Sequence, residues 1–179
     1  MNKNSRIMII TGDIQIGKTT LCREVRQLAK QRGIDTAGLL SPAVFKGGRK
    51  VGIDVLNVRT GEKRRLAELR GEKSRELETR RWSFIQEAVD WGNKILQNSV
   101  PCSLLIVDEL GPIELEEQQG WVQGVKAVDS REYQACLVVI RPHLVNTAQA
   151  RWPETEIWEA GSALTAPQKA LDLLKKIGY

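Results

Sequence analysis

The chain has 179 residues, 41% of them hydrophobic and 27% charged, a balance that fits one folded domain over residues 1–179 and excludes a disordered chain. Its apolar runs, such as Ile7 to Ile10 and Leu104 to Val107, are only a few residues long, against the roughly 20 needed for a membrane span, so no membrane partner is expected. The net charge of +5 attracts polyanions but does not distinguish a nucleotide from a nucleic acid.

In chain order the first element is a short buried strand, Arg6 to Thr11, behind a polar start (MNKNSR) with too little apolar length for a secretion signal. A cytoplasmic location is the expectation. The strand runs into a glycine loop, and a helix is expected over Lys18 to Arg32, with Leu21, Val25, Leu28 and Ala29 on one face and Gly33 as its stop. Ala37 to Phe45 and Arg49 to Val58 are both β-rich, and Lys46-Gly47-Gly48 between them signals a hairpin. Residues 60–81 carry eight basic and five acidic side chains and suggest solvated loop and short helix.

From Ser83 to Gln97, Ile85, Ala88, Val89, Ile95 and Leu96 form a helical stripe, closed off by Pro101. Leu104 to Asp108 reads as a second buried strand. It is followed by a helix around Gln118 to Val128, a strand over Ala135 to Arg141 and a short β-like piece at Thr155 to Trp158. Thr165-Ala-Pro-Gln168 would open the last helix with a capping box. Strands alternating with helices imply an α/β fold of three layers around a mostly parallel sheet, with a β-hairpin after the first helix. The three cysteines, Cys22, Cys102 and Cys136, are widely spaced, and His143 is the only histidine. They read as buried thiols, neither a disulfide framework nor a zinc site.

The strongest chemical signal is GDIQIGKT, Gly12 to Thr19, which fits G-x-x-x-x-G-K-[ST] and lies between a buried strand and an amphipathic helix. Successive backbone N–H groups at a helix N-terminus supply the dense donors that a triphosphate needs. Gly12, Asp13, Ile14, Gln15, Ile16, Gly17, Lys18, Thr19 and Thr20 are therefore the candidate nucleotide-binding loop. Lys18 would reach the β- and γ-phosphates and the Thr19 hydroxyl would ligate Mg²⁺, the expected cofactor. The second signal is LLIVDELG, Leu104 to Gly111, in which Val107, Asp108, Glu109, Leu110 and Gly111 would line the same site. Asp108, at a strand's C-terminal end, is the second candidate metal ligand, and Glu109 is placed to accept a proton from an attacking water. A catalytic arginine is expected at Arg141, with Arg80 and Arg81 as second choices. Trp152 or Trp158 could stack on a base. DELG also fits the D-x-x-G of GTPases, but Asn93-Lys94 is followed by Ile95-Leu96, so the guanine-reading N/T-K-x-D is missing and a dedicated GTP switch is not expected.

Three stretches, GDIQIGKTTL, GLLSPAVFKGGRKVGIDVLNV and LLIVDELGPIEL, resemble the THEP-type nucleoside-triphosphatase family, small P-loop enzymes with a RecA-like core. The middle stretch is the telling one, with Gly38, Val44, Gly48, Arg49, Gly52 and Asp54 in order after the first helix. The likeness spans most of residues 6–141. It implies Mg²⁺-dependent hydrolysis of several nucleoside triphosphates to diphosphate and phosphate, with family roles for Lys18, Thr19, Asp108 and Glu109. Ser41-Pro42, Phe45 and the Arg81 to Phe84 run depart from the family pattern. A kinase on the same fold and a nucleotide-gated binding module are the alternative functions. The acidic residues of 60–81 and the Glu109 base favour water as acceptor, and no base-reading motif supports a nucleic-acid partner. The expected state is a monomer.

Overall fold

Alternate residues of each central strand face opposite layers, and the sequence supplies apolar side chains to both. In strand β1 (Arg6–Thr11), Ile7 and Ile9 pack into one core while Met8 and Ile10 pack into the other. Strand β8 (Tyr133–Ile140) divides in the same way, with Cys136, Val138 and Ile140 on the first side and Ala135, Leu137 and Val139 on the second. The computed structural model describes residues 5–69 and 82–179. Among them no helix is long and apolar enough to cross a membrane.

The parallel half of the sheet joins β1 and β8 to β2 (Thr36–Leu40), β7 (Cys102–Leu110) and β9 (Glu156–Glu159), in the order β2-β7-β8-β1-β9. Helices α1 (Lys18–Gln31) and α6 (Ala166–Lys176) cover one face through Leu21, Cys22, Val25, Leu173 and Leu174. Helices α2 (Gln86–Gln97), α4 (Val122–Ser130) and α5 (Val145–Arg151) cover the other through Leu96, Val128 and Ala148. This is the expected three-layer α/β arrangement. Beyond β2 the sheet continues antiparallel through β4 (Arg49–Asn57), β5 (Lys63–Leu69) and β6 (Trp82–Phe84), and β3 (Ala43–Lys46) pairs with β4 as the anticipated hairpin.

The structure corrects several boundaries. Residues 63–69 form a strand and not loop or helix, with Lys63, Arg64, Glu68 and Leu69 still exposed, and its charges find partners on β4 and α2. Arg65 lies opposite the nearly buried Asp54 and donates to it at 2.7 Å, Lys63 approaches the same carboxylate at 3.4 Å, and the Arg64 guanidinium lies 4.4 Å from the Trp91 ring centroid. Residues 70–81 of that charged stretch, including Arg80 and Arg81, fall outside the described residues. The β-rich run Ala37 to Phe45 is two strands, broken at Ser41-Pro42, where the Pro42 carbonyl accepts the Asp54 N–H. Helix α2 starts only at Gln86, since Trp82–Phe84 pairs with β5. The helix expected from Gln118 starts at Val122, because Gln118 and Gly120 have φ of 53° and 63°, and a short α3 (Pro112–Leu115) precedes it. The capping box at Thr165 does not form. The Thr165 hydroxyl turns back to the Ser162 carbonyl at 3.0 Å, and Gln168 donates to Asp172.

One close approach fixes the join between β2 and β7. Gly38 has φ +115°, and a Cβ there would sit 1.9 Å from the Ile106 carbonyl oxygen. Gly38→Ala must push the two strands apart next to the site, and should destabilise the protein by about 3 kcal/mol or more. Urea denaturation checks this, and a loss below ~1 kcal/mol would mean that the join can give.

Candidate functional site

The glycine loop leaves β1 at Gly12 and enters α1 through Gly17, both with positive φ (134° and 119°), a backbone that L side chains rarely adopt. The first helical-type bond runs from the Leu21 N–H to the Gly17 carbonyl at 2.8 Å, which leaves the N–H groups of Lys18, Thr19 and Thr20 without backbone acceptors. No side chain caps the helix start. Asp13 to Ile16 are exposed around it. Lys18 is nearly buried, and its ammonium donates to the Gly12 and Asp13 carbonyls at 2.6 and 2.8 Å, closing the loop over itself. The result is a concave row of donors with one cation at its rim, an arrangement suited to anionic oxygens.

Strand β7 delivers the carboxylates. Its ladder with β8 shifts register between Val107 and Leu110, so Asp108 and Glu109 sit in an irregularity at the strand's C-terminal end. Asp108 is 2% exposed; its carboxylate accepts the Ser41 N–H at 3.1 Å and lies near the Thr19 hydroxyl. Burial raises its pKa to about 6, opposed by Ser41, Thr19 and the nearby Lys18 charge, while Glu109 raises it further. Glu109 is partly exposed and ion-paired with the Arg141 Nε at the end of β8. Glu114 in α3 is half-buried and receives the N–H groups of Gly111 and Trp121 at 2.8 and 3.1 Å, which holds the turn after the carboxylates.

Magnesium fits this donor set. A hard divalent cation takes oxygen ligands and keeps several waters, and Thr19 and Asp108 offer a hydroxyl and a carboxylate close to each other. The raised pKa of Asp108 marks a buried anion short of positive charge. Among the described residues no group of three or more His, Cys, Asp or Glu could hold a metal by itself, so water and phosphate oxygens would complete the shell.

Sequence reasoning thus named residues that the fold brings together: the 12–20 loop, Asp108, Glu109 and Arg141. Val107 and Leu110 lie in the core beneath the site, and Gly111 spends its N–H on Glu114. Trp152 is buried and donates to Asp129 at 2.8 Å, while Trp158 packs against the α1/α6 core and donates to Glu156. His143 is exposed in a 3₁₀ turn. Ser41 was missed. Its hydroxyl donates to the Asp108 carbonyl at 2.6 Å, so both of its hydrogen bonds brace the same residue. Its only sequence signal is its place just after a strand, before a proline.

A sequence profile of the family described as NTPase matches residues 7–152. The chain belongs to this NTPase family. The nucleoside-triphosphatase THEP1 of Methanopyrus kandleri is 27% identical to this NTPase over 133 residues, covering 74% of this chain and 72% of the relative. That of Ignicoccus hospitalis is 34% identical over 109 residues, covering 61% of each chain. The fold is shared with the solution structure of a human cancer-related nucleoside triphosphatase at a TM-score of 0.74 and 20% identity, covering 97% of both chains. It is also shared with the crystal structure of THEP1 from Aquifex aeolicus at 0.66 and 17%, over 98% of this chain and 99% of that one.

If the loop holds phosphate as its geometry suggests, Lys18→Ala should weaken binding of inorganic tripolyphosphate by roughly 10²-fold or more, because a largely buried charge loses its counter-charge. Calorimetric titration reads this directly. Unchanged affinity in a folded variant would remove the loop from phosphate binding. Thr19→Ala should leave tripolyphosphate affinity without metal unaltered and weaken the gain on adding Mg²⁺.

Proposed function

We propose that the protein hydrolyses nucleoside triphosphates to diphosphate and phosphate, with Mg²⁺ as cofactor and broad tolerance of the base. The observation that carries this reading is the separation of the two adjacent carboxylates into different surroundings. Asp108 is buried against Thr19 and Ser41, while Glu109 is partly exposed and paired with Arg141. Neighbouring titratable groups held apart in this way suit different roles.

The N–H groups at the start of α1 receive the phosphates, and Lys18 exchanges the Gly12 and Asp13 carbonyls for the more strongly charged β- and γ-oxygens. Thr19 and Asp108 would hold Mg²⁺, with Ser41 fixing the Asp108 carboxylate, and the ion would supply positive charge that offsets the charge of the triphosphate. Glu109 orients a water and accepts its proton as the oxygen attacks the γ-phosphorus, while the bond from that phosphorus to the β–γ bridging oxygen breaks and the diphosphate leaves. Arg141, at the same edge of the sheet, transfers its charge from Glu109 to the γ-phosphoryl oxygens as negative charge builds there. Water as the acceptor is supported by the relatives' names as nucleoside-triphosphatases. One sheet running through the described strands supports reading residues 1–179 as a single catalytic unit.

The decisive variant is Glu109→Gln, which keeps the shape and can still hydrogen bond a water but cannot accept its proton. It should lower kcat by about 10²–10⁴-fold with nucleotide affinity steady. Phosphate release measured against a nucleotide panel, with and without candidate acceptors, separates hydrolysis from phosphotransfer. Full hydrolysis by folded Glu109→Gln would remove this mechanism.

Arg141→Ala should lower kcat by roughly 10²-fold with Kd unchanged. An unaltered kcat would make Arg141 only a strut between the ends of β7 and β8.

A further inference from the structure

We propose that the loop between β9 and α6, Ala160 to Thr165, carries the nucleoside half of the substrate, with the Leu164 side chain as its apolar wall. The inference rests on the triphosphatase reading and adds a contact that neither motif supplies.

Two backbones meet here. The Ala160 N–H donates to the Thr11 carbonyl at 2.9 Å, which anchors the loop beside the root of the glycine loop. Further on, a Cβ on Gly17 would lie 2.9 Å from the Gly161 carbonyl oxygen and 3.4 Å from the Ala163 nitrogen. Gly17 must therefore be glycine for contact as well as for its φ. The Gly161–Ala163 backbone rests on the residue from which α1 starts, the end of the glycine loop nearest to Thr20.

Strand order gives the direction in which a bound nucleotide must run. Asp108 is at the end of β7 and Arg141 at the end of β8, while the glycine loop comes after β1 and β9 lies on the far side of β1. The metal and γ-phosphate end belongs with Asp108 and Thr19, so the α-phosphate and the nucleoside leave in the opposite direction. That direction leads over β9, whose C-terminal end continues into the Ala160–Thr165 loop.

The chemistry of the loop suits a base of any kind. Leu164 is 93% exposed, more so than any other large apolar residue among those described, and Ser162 and Ala163 beside it are exposed too. The side chains that could read a base edge are already committed to holding the loop. Thr165 donates to the Ser162 carbonyl at 3.0 Å, and Lys169 donates to the Glu159 carbonyl at 2.7 Å. What remains is an isobutyl group, a serine hydroxyl and backbone N–H groups. An apolar wall contacts purines and pyrimidines alike, whereas strong discrimination needs buried polar groups that the wrong base would leave unpaired. A lone surface leucine is ordinary in itself. Its place on the loop that touches Gly17 sets this one apart.

The test compares Leu164→Ala and Leu164→Met with the unsubstituted protein. Calorimetry in Mg²⁺ gives Kd for the β,γ-imido analogues of ATP, GTP, CTP and UTP and for inorganic tripolyphosphate, and phosphate release gives kcat. Leu164→Ala should weaken all four nucleotides by roughly 10-fold, Leu164→Met should restore them, and tripolyphosphate affinity should not move. Unchanged nucleotide Kd values in Leu164→Ala would overturn the proposal. An equal loss for tripolyphosphate would also overturn it, since the loop would then act only through the phosphate loop. An unsubstituted protein that binds nucleotides but releases no phosphate would sink the hydrolase reading alone, and the Kd comparison would still decide the nucleoside site.

Discussion

A carboxylate driven into the interior at the end of a strand has to find hydrogen bonds or positive charge, because an unpaired buried charge costs several kcal/mol. Asp108 is that group, and the upper edge of the molecule is arranged around it. Its partners come from separate elements: Ser41 from the end of β2 and Thr19 from the first turn of α1, with the Lys18 charge nearby. Its neighbour Glu109 reaches the end of β8 through Arg141. The ends of three parallel strands and the start of one helix are thereby tied to adjacent residues. Below them the strands are apolar on both faces, so the polar groups of the sheet gather at one edge.

The antiparallel extension obeys the same constraint on a second buried carboxylate. Asp54 is 8% exposed and gathers Arg65 and Lys63 from the next strand, while its own N–H is taken by Pro42. Gly52 explains part of the family-like spacing. A Cβ there would lie 3.1 Å from the Arg65 guanidinium and 3.0 Å from the Ala67 carbonyl, so glycine leaves the arginine its path to Asp54. Lys50 over Trp82 and Arg64 over Trp91 of α2 add contacts in which a charge lies over an aromatic ring. The hairpin of β3 and β4 departs from Ser41-Pro42, directly after the residue that braces Asp108, so the extension and the site share one anchor.

The loop after β9, as proposed, extends the site beyond its motifs. Apart from Thr165, its residues match no pattern that sequence reading would single out. The approach of Gly161 and Ala163 to Gly17 and the Ala160 to Thr11 hydrogen bond tie it to the glycine loop. Close packing of two backbones leaves little trace in residue type beyond the glycines themselves, and glycines are common in turns for other reasons.

Local chemistry was legible in the residues alone. A strand followed by G-x-x-x-x-G-K-T and a helix has one mechanical solution, since glycines permit the turn and the helix start leaves N–H groups free. Asp108 and Glu109 after a buried strand gave the second half of the site, and alternating strand and helix periods gave the layered fold. Gly33 ended α1 where expected, because positive φ at a helix end is a local requirement. Partnership across the chain was not legible. Residues 63–69 looked like loop because charge density is a local measure, whereas their strand depends on β4, with Asp54 opposite Arg65, and on Trp91 of α2 beside Arg64. The cap at Thr165 failed since Ser162, not the helix, claimed its hydroxyl. Ser41 carries no motif, and only the adjacency of β2 and β7 makes it a partner of Asp108. Residue types and short spacings determined what each segment could do, while the sheet order decided which segments would meet, because hydrogen bonds and ion pairs act over a few ångströms in space and not along the chain.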